Sequence, residues 1–388
     1  MKAGWEIKTL GEVCDFIGGS QPPKSCFEYV ETPENIRLIQ IRDYKSDKHI
    51  VFIPRKLAKR FCKSDDVMIG RYGPPVFQIL DGLDGAYNVA LMKAVPETSK
   101  LERDFLFYFL QNPTIQQYVI FHSERSVGQT GITRETLEEY PILLPPLPEQ
   151  KRLVTLLDEA FESIATAKAN AQQNLKNARA LFESHLNEVF TKRGAGYVEK
   201  RLDEVCSITS KLIDPKKEEF IDLVHVGAGN IESQTGAFIE LKTAREEGLI
   251  SGKFLFDESM VLYSKIRPYL MKVARPEFNG LCSADMYPLS PLQNQITRDY
   301  LFHLMLSKQF TEYAIEGSAR AGMPKVNREH LFAYKVWLPK PEQQKELAMK
   351  LDNLHEETQR LEALYSRKIA ALDEMKKALL NRAFSGEL

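Results

Sequence analysis

The sequence predicts an α+β chain in which two β-rich α/β globules are separated by a long antiparallel two-helix coiled coil, the whole built as an internal two-fold repeat. Three observations predict it: a gapless repeat at an offset of 194 residues, short β-type runs in each half, and two stretches, 149–190 and 342–385, that contain neither Pro nor Gly.

The repeat comes first, because missing one mis-assigns the whole fold. Residues 128–145, GQTGITRETLEEYPILLP, align on 322–339, GMPKVNREHLFAYKVWLP, placing Leu137 on Leu331, Tyr140 on Tyr334, Leu144 on Leu338 and Pro145 on Pro339. The same offset carries Gln150 onto Gln344 and Leu157-Asp158 onto Leu351-Asp352. At the start of each half, LGEVCDF from Leu10 matches LDEVCSI from Leu202, with Trp5 opposite Tyr197. Midway, Arg103–Phe107 matches Arg298–Phe302. Chance similarity of amphipathic helices explains a match late in each half. It does not explain a matched head, middle and Pro-rich junction in one order.

The globules are placed at 1–145 and 193–338, where runs such as IRLIQI, DVMIGRY, MVLYSKI and YKVWLP are separated by Gly, Pro and Asp turns. One amphipathic helix is expected late in each, DFLFYFLQNPTIQQYVIF and DYLFHLMLSKQFTEYAI. Helical spacers follow at 146–192 and, with the C-terminal tail, at 339–388. Leu153, Leu157, Ala160, Ile164, Ala167 and Ala171 recur at coiled-coil spacing, as do Leu347, Leu351, Leu354 and Leu361. Each spacer begins near a Pro-Glu-Gln sequence, where Pro suits the first turn and Glu the positive end of the dipole. At ~1.5 Å per residue such a helix is a rod of about 60 Å. A rod with one apolar seam needs a partner, and its own repeat, running antiparallel, is the simplest. Such a pair would fix the distance between the globules.

Composition narrows the function. With 388 residues, 43% hydrophobic and 10% aromatic, the chain is globular and large enough for two domains. No uninterrupted apolar stretch is long enough to span a membrane, and MKAGWEIKTLGEV has no signal-peptide core, so a cytoplasmic protein is expected. Cys14, Cys26, Cys62, Cys206 and Cys282 form no C-x-x-C pair and are expected to be buried thiols. The seven histidines show no metal-ligand spacing, and no metal site is expected. Gly248–Phe254 has the wrong spacing for a phosphate-binding loop. No G-x-S-x-G and no Asn-Pro-Pro-aromatic motif occurs, and Phe16-Ile-Gly-Gly-Ser reads as a turn. No catalytic residue is assigned.

The net charge of −1 gives no global case for nucleic acid, so the case rests on local clusters. The run from 44 to 63 holds Lys45, Lys48, Arg55, Lys56, Lys59, Arg60 and Lys63 against one acid, Asp47. Arg71 and Tyr72 follow it. In the second copy, residues 263–275 carry Lys265, Arg267, Tyr269, Lys272 and Arg275 without an acid. Lys and Arg among Tyr and Gly suit phosphate contact with base-edge readout. A solvated basic face is the alternative. The loops before each junction add Arg125, Gln129, Thr130 and Arg134, which correspond roughly to Arg320, Met323, Pro324 and Arg328; Lys325 and Asn327 beside them are further candidates. A shared framework with different loop side chains suits two heads reading different sequences; ordinary drift in exposed loops gives the same pattern.

The junction Leu144-Pro-Pro-Leu-Pro-Glu-Gln150, the opening Trp5-x4-Leu10-Gly-Glu-Val13, the segment Ser264-Lys-Ile-Arg-Pro-Tyr-Leu270 and the closing Ala383-Phe-Ser-Gly-Glu-Leu388 together resemble the specificity subunits of type I restriction-modification systems. The second junction departs locally, reading Leu338-Pro-Lys-Pro-Glu-Gln343. The resemblance implies two target-recognition domains, each reading half of a bipartite sequence in double-stranded DNA. It also implies spacers that dock adenine-methylating modification subunits, two of them, and restriction subunits. Those partners would carry S-adenosylmethionine, ATP and Mg; this chain would carry no cofactor and perform no chemistry. Two other readings compete. A stand-alone methyltransferase would need its catalytic motif in this chain, and a coiled-coil scaffold for protein partners would show no sequence-selective, salt-dependent DNA affinity.

Overall fold

Among the residues described by the computed structural model (4–73, 75–123, 131–318 and 324–388), the β-type runs of the first half become strands β1 (Glu6–Thr9), β2 (Cys14–Gly18), β3 (Asn35–Ile39), β4 (Phe52–Pro54), β5 (Phe61–Cys62), β6 (Val67–Gly70), β7 (Gln78–Asp81), β8 (Gly85–Tyr87), β9 (Leu91–Pro96) and β10 (Pro141–Leu144). Interleaved with them and following are helices α1 (Arg103–Leu110), α2 (Pro113–Ser123), α3 (Arg134–Glu138) and α4 (Leu147–Thr191). The second half gives β11 (Val198–Arg201), β12 (Cys206–Ser207), β13 (Leu212–Ile213), β14 (Val224–Val226), β15 (Lys242–Thr243), β16 (Lys253–Phe256), β17 (Val261–Ser264), β18 (Val273–Ala274), β19 (Gly280–Cys282), β20 (Met286–Pro291) and β21 (Lys335–Leu338). Its helices are α5 (Arg298–Leu306), α6 (Lys308–Glu316), α7 (Arg328–Ala333) and α8 (Pro341–Ser385).

The two halves repeat strand by strand. One sheet runs β2-β9-β6-β7 in the first half and β12-β20-β17-β18 in the second. The other runs β4-β3-β8-β5, and β15-β14-β19-β16 with β13 added at its edge. Each of these second sheets contains one parallel pair, β3 with β8 and β14 with β19. A two-stranded ribbon, β1 with β10 and β11 with β21, brings the start of each head to the start of its long helix. In the first head the two sheets face each other through Ile39, Cys62, Met68, Tyr87 and Leu91, all buried.

The single late helix expected in each head is two helices. In the first head Pro113 starts the second of them, and Asn112 accepts from the Thr114 amide at 2.9 Å to cap it. In the second, Ser307 adopts extended angles between α5 and α6, and its hydroxyl accepts from the Phe310 amide at 3.3 Å. Apolar periodicity runs through both breaks, because both helices of each pair face the same core.

The chain divides into two compact units, one of residues up to 171 together with 367–388, the other of 172–366. In the first, Leu153 and Leu157 of α4 join Leu380, Ala383 and Phe384 of α8 in one buried core with Trp5, Leu10, Phe105 and Phe109. Phe384 meets Phe105 and Phe109 edge-on at 5.1 and 5.3 Å. Lys376 lies 4.7 Å over the Phe161 ring, and Lys168 pairs with Asp373 at 2.6 Å, so the helices run antiparallel there. In the second unit Phe182 and Leu186 of α4 share a core with Ala348 and Leu351 of α8, together with Tyr300, Leu304 and Phe310. Arg179 pairs with Glu362 at 3.1 Å, and Phe182 packs on His355 at 4.7 Å; again the direction is antiparallel.

The junction motif is explained by its glutamine. Gln150 is fully buried; its amide group donates to the Lys100 and Pro145 carbonyls at 2.7 and 2.8 Å, and its oxygen accepts from the Glu102 amide at 2.8 Å. Gln344 does the same with Gln295, Pro339 and the Thr297 amide, each at 2.9 Å. Each glutamine therefore clips the start of a long helix to the loop that starts the head's own helix pair. Four of the five cysteines are buried as expected; Cys26 is half-buried. Among the described residues no helix is long and apolar enough to cross a membrane.

Candidate nucleic-acid interface

In the first unit the basic run from 44 to 63 is folded into three-residue helical turns at Asp47–His49 and Arg55–Leu57 and the edge strands β4 and β5. Lys45, Lys48, Arg55, Lys56, Lys59 and Arg60 are all exposed. The run's single acid does not neutralise them. Asp47 faces Arg37 at 3.6 Å, and Arg37 also faces buried Asp43 at 3.8 Å. The Asp43 carboxyl is held above its ordinary value by burial, against the opposing pull of the Gln40 amide and Arg37. Arg55 donates to the Pro33 carbonyl at 3.1 Å. The other five cations make no ion pair among the described residues, which leaves a high local density of uncompensated positive charge.

Arg71 lies at the end of β6 on the other sheet. Its guanidinium donates to the Ile132 carbonyl at 3.1 Å and lies 5.2 Å from the Tyr72 ring centre. A Cβ at Gly131 would fall 2.4 Å from Tyr72 Cε1, so the absence of a side chain there lets the Tyr72 ring lie against this segment. Arg71 and Tyr72 are thus brought against the segment leading into α3. Arg134, on that helix, is exposed and paired with Glu138.

In the second unit the loop between β17 and β18 carries Lys265, Arg267, Tyr269 and Lys272. Ile266 bridges to Lys325, and the Arg267 amide donates to the Pro324 carbonyl at 2.9 Å, so this loop and the segment before α7 form one surface. Arg267 adopts a left-handed φ of 49°, and its side chain is exposed, as is that of Tyr269. Lys265 donates to the Ala284 carbonyl, faces Asp285 at 3.6 Å and lies 5.3 Å over the Tyr287 ring. Burial, then the neighbouring Lys325, hold its ammonium below the ordinary lysine value. Lys325 reaches the same Asp285 at 3.4 Å, and Arg328 lies 5.9 Å from the rings of both Tyr287 and Phe254. Lys272 donates to the Ala228 carbonyl at 2.6 Å, and Asn327 caps α7 by accepting from the His330 amide at 2.7 Å. Arg125, Gln129, Thr130 and Arg320 lie outside the described residues.

Arg275, counted with this cluster in the sequence, belongs elsewhere. It donates twice to Asp352 of α8, at 2.7 and 3.1 Å, and once to Asp299 at 2.9 Å, and it stacks on Phe302 at 4.2 Å. Its acids come from elements far along the chain, which is why an acid-free window hid the pairing. His303, fully buried, meets the same Asp352 at 2.8 Å. The first unit has the equivalent lock, Tyr108 donating to Asp158. Sequence reasoning missed both locks and both glutamine clips, although the offset that pairs Asp158 with Asp352 also pairs the clips.

The two surfaces share one backbone pattern. The Arg71 amide donates to Ala90 at 2.9 Å and its carbonyl accepts from Ile132 at 3.4 Å; the Lys265 amide donates to Asp285 at 3.1 Å and its carbonyl accepts from Val326 at 2.8 Å. Each unit therefore presents a cation at the same strand end, fastened to the segment before its last short helix, while the side chains around it differ.

Comparison with known proteins agrees with this duplicated architecture. The family model for the type I restriction modification DNA specificity domain matches twice, at residues 2–177 and 195–369. The chain is 27% identical over 339 residues to the type I restriction enzyme EcoDI specificity subunit of Escherichia coli, covering 78% of this chain and 74% of that one. It is 19% identical to the MjaVIII specificity subunit of Methanocaldococcus jannaschii, covering 99% and 93%. Two solved chains share the fold. One, from work on complex assembly and conformational transition of the type I R-M system, has a TM-score of 0.79 at 19% identity, covering 100% of this chain and 99% of that one. The other, the HsdS subunit from Thermoanaerobacter tengcongensis, has a TM-score of 0.64 at 20% identity, covering 100% and 98%. With a duplicated head, a duplicated junction and family matches over most of its length, this chain belongs to the type I restriction-modification DNA specificity family, whose members are the non-catalytic, sequence-recognising subunits of those systems.

Proposed function

We propose that each unit reads one half of a bipartite sequence in double-stranded DNA through the cationic surfaces described above, and that α4 and α8 dock two modification subunits together with restriction subunits in the cytoplasm. The partners would bring S-adenosylmethionine, ATP and Mg. The observation that carries the reading is the shared backbone pattern at Arg71 and Lys265 beneath differing side chains. A common frame fixes where a strand end meets the duplex, and the variable groups around it discriminate bases. Lys45, Lys48, Lys56, Lys59 and Arg60 then supply phosphate contact, and Arg71, Tyr72, Arg267, Tyr269, Lys325 and Arg328 stand where base edges are read. The protein-scaffold alternative gives no role to five exposed, uncompensated cations in one run.

The test is to exchange residues 1–145 for the equivalent segment of a relative and map methylated adenines made by the assembled complex. One half of the methylated sequence should change and the other stay. A change in both halves would overturn the assignment of one half-site to each unit.

A further inference from the structure

Within the basic surface of the second unit one acid stands out. Asp285 sits between two cations, facing Lys325 at 3.4 Å and Lys265 at 3.6 Å, while Arg328 lies 5.9 Å from the ring of Tyr287 two residues along the chain. The Asp285 side chain nevertheless remains 48% exposed. Its backbone is fixed at both ends, since the Asp285 amide donates to the Ser283 hydroxyl at 3.2 Å and its carbonyl accepts from the Lys265 amide at 3.1 Å. The equivalent position in the first unit, by the same strand-end hydrogen bond, is Ala90.

A carboxylate in a phosphate-binding surface weakens nonspecific affinity through repulsion. Lys265 faces it at 3.6 Å, while its ammonium also donates to the Ala284 carbonyl and lies over the Tyr287 ring, so it fixes the carboxylate's direction without covering it. What remains is a rigid, half-exposed acceptor with two outward donors beside it. In the major groove the groups that complement an acceptor are the exocyclic amines, N4 of cytosine and N6 of adenine. Flanking cations suit the acceptors on neighbouring purines, O6 and N7 of guanine above all.

We propose that Asp285 is a specificity-determining residue of the second unit, accepting a hydrogen bond from the exocyclic amine of one cytosine or adenine, with Lys325 and Arg328 engaging acceptors beside it. Lys265 is then a positioning residue that aims the carboxylate. The inference rests on the reading of this surface as DNA-facing.

The experiment uses the complete modification complex on a DNA library randomised across both half-sites, with methylation sequencing as one readout and salt-dependent binding as the other. Asp285→Asn keeps the shape and one acceptor oxygen but adds a donor, and Asp285→Ala removes both. With Asp285→Ala, discrimination at a single base pair of one half-site should fall by roughly ten-fold or more. The other half-site should be unchanged, and nonspecific binding should tighten. A preferred cytosine or a preferred adenine at the relaxed position identifies the amine. Uniform loss of affinity in both variants, with every base preference retained, would show Asp285 to be only an ion-pair anchor and would overturn the proposal. Lys325→Ala and Arg328→Ala separate the two levels. If these leave binding and methylation untouched, the surface itself is not DNA-facing; if they weaken binding while Asp285→Ala and Asp285→Asn relax no position, the surface stands and the role of Asp285 fails.

Discussion

Replacing Gln344 by alanine tests the clip between long helix and head. The side chain is fully buried and makes three hydrogen bonds, at 2.9 Å each, to the Thr297 amide and the Gln295 and Pro339 carbonyls. Truncation leaves one donor and two acceptors without partners. An unsatisfied buried group costs ~1–3 kcal/mol, and water entering the space offsets part of it, so a net loss of about 3 kcal/mol is expected. That corresponds to roughly a hundred-fold rise in local opening. Amide hydrogen exchange of the full chain reads this directly: the Thr297 amide should exchange roughly a hundred-fold faster. The Glu102 amide, bonded to Gln150 in the first unit, should keep its rate. Gln344→Glu should be no better, because a carboxylate retains an acceptor for Thr297 but presents no donor to the two carbonyls. If the Thr297 amide changes by less than about three-fold in the alanine variant, the clip is not what holds the helix start to the head.

Other predictions follow from the same structure. Burial holds His303 below its ordinary value of 6.5, opposed by its bond to Asp352, whose charge Arg275 already balances. The folded state therefore takes up this proton less readily than the unfolded chain, and stability present above pH 6.5 is lost as pH falls through and below it. Asp352 is depressed, so its own contribution persists above its ordinary 3.8 and is lost only on further acidification. His303→Gln, which keeps a donor toward Asp352, should flatten the slope of the urea midpoint against pH below 6.5; an unchanged slope would assign it to other groups. Gly131→Ala should push the half-exposed Tyr72 ring aside, seen as weaker discrimination in one half-site with little change in stability. Lys56→Gln combined with Lys59→Gln should weaken binding to all sequences alike and reduce the salt slope by about two, since each phosphate contact contributes ~0.9.

The parts of this fold that could be read from sequence are those whose signal is local or duplicated. Helices α4 and α8 show themselves by an apolar rhythm free of Pro and Gly, and the ribbon strands β10 and β21 lie inside the best-matched segment of the repeat. The parallel pairing of β3 with β8 leaves no such trace, because it joins short runs nearly fifty residues apart. The basic run at 44–63 was legible as charge, since Lys45, Lys48, Lys56, Lys59 and Arg60 are exposed and make no ion pair among the described residues. Arg275, Lys265 and Lys272 were not, because Asp352, the Ala284 carbonyl and the Ala228 carbonyl reach them through tertiary structure alone. Ser307 and Asn112 break an apparently continuous helix by capping, which competes with propensity at a single residue.

The first unit is assembled from both extremes of the chain, and this sets an order of events during synthesis. Phe384, which packs edge-on against Phe105 and Phe109, is translated long after them. At ~5–20 residues per second, the return segment beginning at 367 follows residue 171 by roughly 10–40 s. The second unit, a single stretch ending at 366, has all its residues before the first is complete. The head made first is therefore finished last, and until the 367–388 segment has left the ribosome the apolar floor beneath Leu380, Ala383 and Phe384 stays open to water. A nascent-chain complex stalled before 367 should present a protease-resistant second unit and a cleavable first one.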